Sequence, residues 1–165
     1  MKKKGLVLLL CSVAFASILL TPTLIAKHDD QGSAIFASGK WTYVPLEKDT
    51  RVIDDYTFVL GSEEGTWTGT FTGTTYDAYI AVKDPAGVSH LYYGLIEFDS
   101  IVIDGREGSL IISFGPGEKI EGQWSGVWEI VSGTGELENL HGKGTWWGPS
   151  KNLDYEGHLH FDQRP

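Results

Sequence analysis

Beyond its first 26 residues this chain has no cysteine; the single one, Cys11, sits inside an apolar leader. The remainder therefore forms no disulfide and offers neither a thiolate nucleophile nor a cysteine metal ligand. Basic residues are scarce too. Thirteen Lys and Arg face 22 Asp and Glu, a formal charge of −9, and losing the leader removes three lysines and no acids, leaving −12. So acidic a surface argues against nucleic acid as a partner, because phosphate-backbone binding draws on clustered Lys and Arg. It is also repelled by anionic lipid headgroups, and it suits solubility. Past the leader, no apolar run at helical spacing reaches the ~10–12 residues of an ordinary helix. No phosphate-cradling loop, serine elbow or zinc-ligand spacing occurs, and no cofactor is implied.

The leader has three parts. Lys2, Lys3 and Lys4 open it, Gly5–Leu20 is apolar, and Thr21–Ala26 closes it with small and polar residues. That is the plan of an export signal. Ala26 suits the position before cleavage, although Leu24 stands where a small residue is preferred. The rival reading is a retained anchor, since Gly5–Ala26 is long enough to cross a bilayer. Either fate places the rest outside the cytoplasm, with membrane contact only through this segment. Residues 1–26 are thus a signal peptide or anchor helix, 27–33 a polar linker, and 34–165 one domain.

What the domain has in abundance is glycine alternating with large aromatics. Gly65-x-Trp67-x-Gly69-x-Phe71-x-Gly73 returns as Gly122-x-Trp124-x-Gly126-x-Trp128. Alternate residues of a strand share a face, so each set lies on one side. A small–large–small face suits the tapering interior of a small closed barrel. Leu153, Tyr155, Gly157, Leu159 and Phe161 make another inward face. Expected strands are Ala34–Val44, Asp55–Leu60, Gly65–Thr75, Tyr76–Val82, His90–Phe98, Ile101–Ile103, Gly108–Phe114, Lys119–Val131, Gly142–Trp147 and Leu153–Phe161. Turns are expected at Gly61–Glu64, Asp84–Gly87, Asp104-Gly105 and Gly115-Pro116-Gly117. Between Gly135 and Gly142 the pattern allows one helical turn that packs Leu137 and Leu140 onto a barrel end. The expected fold is all-β: a single antiparallel β-barrel.

The glycine-rich run Ser132–Gly144 resembles the signature of an uncharacterised bacterial family, known only as a domain of unknown function, whose barrel is similar to that of allene oxide cyclase. Gly65–Thr75, the Asp104–Leu110 hairpin and the closing Tyr155-Glu156-Gly157-His158-Leu159 support the likeness, which spans most of Gly65–Phe161. The resemblance implies about eight antiparallel strands. It supplies no catalytic residues.

Three groups of residues are candidates for chemistry. Trp67, Phe71, Trp124, Trp128 and Tyr155 form the expected lining, which either fills the barrel or grips one small apolar ligand. Asp77, His90 and Tyr92 face inward if the register of their strands holds, and a His–carboxylate pair beside a Tyr hydroxyl would serve a cofactor-independent cyclase or isomerase. His90–Phe98 offers two faces; the one holding Tyr92, Gly94, Ile96 and Phe98 is taken as interior because it repeats the glycine motif. His158 and His160 share an outer face with Glu156, where solvated histidines are expected and no metal site. A binding or structural module is the leading expectation, and enzyme activity the alternative. Oligomeric state is not legible.

Overall fold

The computed structural model describes residues 34–162. The expected leader and the linker lie outside the described residues. Eight strands follow in order: β1 (Ile35–Ile53), β2 (Tyr56–Gly69), β3 (Gly73–Lys83), β4 (Ser89–Ile103), β5 (Arg106–Ile120), β6 (Gln123–Gly133), β7 (Leu140–Pro149) and β8 (Asn152–Phe161). Each pairs antiparallel with its neighbour in sequence. Between Ile35↔Leu159 and Thr42↔Asn152, β1 pairs with β8 and closes the sheet into a barrel.

The alternating faces explain the closure. Trp67 of β2, Trp128 of β6 and Tyr155 of β8 are buried, as are Trp41 of β1 and Trp146 of β7. Their rings interlock: Trp67 lies 5.0 Å from Trp41 and 5.2 Å from Tyr155, while Phe71 lies 5.4 Å from Trp128. Glycines on the same faces leave the space those rings take, as at Gly94, where an added Cβ would fall 2.2 Å from the Phe114 ring. Asp104 and Gly105, with φ of 52° and 75°, make the expected tight hairpin between β4 and β5.

Several expectations need correction. Gly61–Glu64 is no turn but the middle of β2, paired with Tyr76–Tyr79 of β3. The expected strand Gly65–Thr75 breaks instead, and Phe71 lies in the connection between β2 and β3. Gly115-Pro116-Gly117 does not reverse the chain. β5 runs through it on a register shift, and the turn falls at Glu121-Gly122, where both φ angles are positive. A second shift makes His90–Phe98 and Ile101–Ile103 one strand, β4. Bulges of this kind insert unpaired residues and re-aim side chains without ending a strand.

The two barrel ends differ. At one end Phe71 plugs the interior, and a 3-10 turn at Gly135–Leu137 seats the fully buried Leu137 there beside Leu140, as expected. Tyr155 fastens this plug. Its hydroxyl accepts the Phe71 N–H at 2.8 Å and donates toward the Thr68 carbonyl at 3.2 Å. The other end carries the β1–β2, β3–β4, β5–β6 and β7–β8 turns.

Candidate functional site

At that other end lies a cavity of about 90 Å³ to which every strand contributes. Its walls are Trp41 and Tyr43 of β1, Glu63 of β2, Tyr79 and Ala81 of β3, Leu91 of β4, Phe114 of β5, Trp124 of β6, Trp146 of β7 and Leu153 of β8. A water molecule takes up ~30 Å³ and drug-sized sites run to ~300–1,000 Å³, so this cavity takes a compact group and not a lipid chain. A larger depression of about 580 Å³ lies along the outer wall by Tyr92, Pro116 and Trp147. It is a broad surface groove, not an enclosed site.

Glu63 is the one carboxyl in the cavity wall, and it is 4% exposed. It stands directly across the sheet from Asp77, which is fully buried. Burial pushes Glu63 up to about 8, with the charge of Asp77 adding to the shift. Burial likewise lifts Asp77 to about 7. Deeper in, Gly65 marks where polar atoms converge: a Cβ there would meet Thr75 Oγ1 at 2.2 Å, Asp77 Oδ2 at 2.8 Å and Trp41 Nε1 at 2.9 Å. Nearness to Thr75 and Trp41 draws Asp77 back down somewhat. Neither contact has hydrogen-bond geometry, so Trp41 Nε1 and both Asp77 oxygens are unpartnered. The other buried indoles are satisfied. Trp67 donates to Thr75 Oγ1 at 3.1 Å, Trp128 to the Glu156 carbonyl at 3.1 Å and Trp146 to the Val127 carbonyl at 2.9 Å. Burial also raises the Tyr43 and Tyr79 hydroxyls above their ordinary range. The wall therefore offers neutral, proton-bearing groups among apolar rings at neutral pH.

The expected residues are distributed unevenly over this geometry. Trp67, Phe71, Trp128 and Tyr155 fill the plugged half of the barrel against one another, and only Trp124 of that set reaches the cavity. Asp77 faces inward. His90 and Tyr92 do not join it, and the acid/base trio is not assembled. A bulge opposite Ile80 and Ala81 leaves Tyr92 unpaired, so Leu91, Gly94, Ile96 and Phe98 turn inward while Tyr92 is 61% exposed. His90 instead pairs with Asp84 in the β3–β4 turn at 3.0 Å, which holds that carboxyl below its usual value. Glu156, His158 and His160 lie on the outer face, and no group of three metal-ligating side chains forms among the described residues.

Trp41 and Trp146 are not among the expected lining residues, and Glu63 is expected, with Glu64, in a turn. Gly39-x-Trp41 and Gly144-x-Trp146-x-Gly148 repeat the glycine–aromatic motif, and Glu63 lies two residues before Gly65 on the Trp67 face. Extending that face backward by one step identifies it.

Fold and site define a small up-and-down barrel, solid at one end and hollow at the other. The family model described as a protein of unknown function, DUF3224, matches residues 40–156, and the chain belongs to that family. A crystal structure of a DUF3224-family protein of unknown function from Shewanella oneidensis MR-1 superposes with a TM-score of 0.63 at 18% identity, covering 79% of this chain and 99% of that one. At that identity the likeness is one of fold. No curated protein sequence matches the chain.

Proposed function

We propose that this chain is an exported or membrane-tethered barrel that binds one compact small molecule at its hollow end. The observation that carries the reading is the eight-strand convergence of aromatic walls around a buried carboxyl, Glu63. The leader sequence supports the location, and cell fractionation with protease shaving checks it: a cytoplasmic, protected domain would contradict it. Intrinsic tryptophan fluorescence tests binding, because Trp41, Trp124 and Trp146 line the cavity. Compact amines, amides and single-ring compounds are expected to give saturable changes. Ala81→Leu, which extends a wall side chain into the cavity, should abolish them while leaving cooperative unfolding intact. Silence across such a panel leaves the barrel a purely structural unit.

A cofactor-independent cyclase or isomerase is the second reading, and it is favoured by the displaced titration of Glu63. A carboxyl that titrates at about 8 both gives and takes protons near neutrality. On this reading Glu63, not the Asp77–His90–Tyr92 trio, touches substrate. Glu63→Gln would then abolish turnover of a bound compound without abolishing its binding.

A further inference from the structure

We infer that the hollow end receives a small organic cation, an alkylated ammonium group, held between aromatic walls with Glu63 as its counter-ion. This rests on the reading of that cavity as a binding site. Six of the wall residues, Trp41, Tyr43, Tyr79, Phe114, Trp124 and Trp146, are aromatic. Ring faces attract cations most strongly where water is excluded, and aromatic cages recognise quaternary ammonium groups in this way. Glu63 supplies what a purely apolar site does not need. It lines the cavity, is 96% removed from solvent, and makes no ion pair among the described residues, whose four pairs all involve other groups.

Neighbours of Glu63 leave it without a positive partner. Tyr43 faces it from β1 and Asp77 and Tyr79 from β3, while β4 to β8 present only apolar or indole side chains to the cavity. Two lysines stand on the rim: Lys119 sits 5.9 Å from the Trp124 ring centroid and donates to Ser150 Oγ at 2.7 Å, and the Lys151 backbone meets the Tyr43 hydroxyl, with neither side chain paired to Glu63. An alkylated head fits better than a bare ammonium. The walls offer few acceptors for three N–H donors, whereas methyl groups match them. The acidic charge of the chain draws cations toward the barrel.

Proton linkage gives the inference its signature. Because burial holds Glu63 protonated up to about 8, a cation that pairs with it must release that proton at lower pH. Affinity should then climb about tenfold per pH unit between pH 6 and 7 and level off above Glu63's own titration.

Choline and its uncharged carbon isostere, 3,3-dimethylbutan-1-ol, are the probes, and the indole N–H resonances of the full chain are the readout. Choline should shift Trp41, Trp124 and Trp146 saturably with the stated pH slope, and bind about tenfold or more tightly than the isostere. Trp147, on the outer groove, should stay still. Glu63→Gln should keep isostere binding but lose the choline preference and the slope. Equal binding of the two probes overturns the cation inference and leaves the cavity reading intact. Shifts centred on Trp147 overturn the inference by placing the cation outside the barrel, and no shift with either probe overturns both readings. Phosphatidylcholine vesicles that compete with choline would assign the cation to a lipid headgroup; vesicles without effect would assign it to a free solute.

Discussion

Raising the pH from 5 to 9 should destabilise this barrel, and the loss should trace to Glu63 and Asp77. Both carboxyls bind protons more tightly folded than unfolded, Glu63 moving from 4.5 to about 8 and Asp77 from 3.8 to about 7. Their contribution is complete below pH ~4, falls as pH rises past the unfolded values, and is gone above about 8. At ~1.4 kcal/mol per proton per pH unit, the window from 5 to 9 spans about 3 units for Glu63 and 2 for Asp77, or roughly 4 and 3 kcal/mol. That sum rivals the whole stability of a typical domain. Relaxation of the protein around a newly formed buried charge takes back part of this, so about half of it, ~3 kcal/mol, is expected. Urea titrations at each pH measure it. Glu63→Gln should flatten the upper part of the curve and Asp77→Asn the lower part, with the double variant nearly level. A wild-type curve that is flat or rises over this range refutes the reasoning, as does a Glu63→Gln curve with the wild-type slope.

Four further substitutions test the packing and the turns. Tyr155→Phe strands the buried Phe71 N–H and should cost about 1–3 kcal/mol with little change in the denaturant slope. Leu137→Ala hollows the plug at a fully buried site and should cost about 2–5 kcal/mol, read as a lower urea midpoint. Gly39→Ala sets a Cβ 1.9 Å from the Thr68 carbonyl and 2.6 Å from the Tyr155 hydroxyl, where backbone cannot yield, so the soluble folded yield should collapse. By contrast Gly105→Ala meets nothing within 4 Å and suffers only its positive φ, so a loss of about 1–2 kcal/mol in thermal unfolding is expected.

The period-2 alternation made the barrel legible, because its glycine–aromatic faces admit few other burial schemes. The inward set Leu153, Tyr155, Gly157 and Leu159, the Asp104-Gly105 hairpin and the capping role of Leu137 and Leu140 were all readable from spacing. Bulges were not. A single unpaired residue at Tyr92 reverses the face of everything before it, and nothing in His90-Leu91-Tyr92-Tyr93 marks where the slip occurs. Glu63 escaped for a different reason. Gly-Ser-Glu-Glu-Gly is turn-like by composition, and that hides how the Trp67 face runs back through Gly65 to an inward carboxyl paired across the sheet with Asp77. Burying that pair runs against local preference, and functional sites concentrate such conflicts.

Carbon-detected NMR titration of the side-chain carboxyls tests the hollow, acid-bearing end most directly. Two resonances, assigned to Glu63 and Asp77, should titrate at about 8 and about 7, far above the exposed carboxylates. If both move with the exposed groups below pH 5, Glu63 faces open water and the barrel has no hollow end.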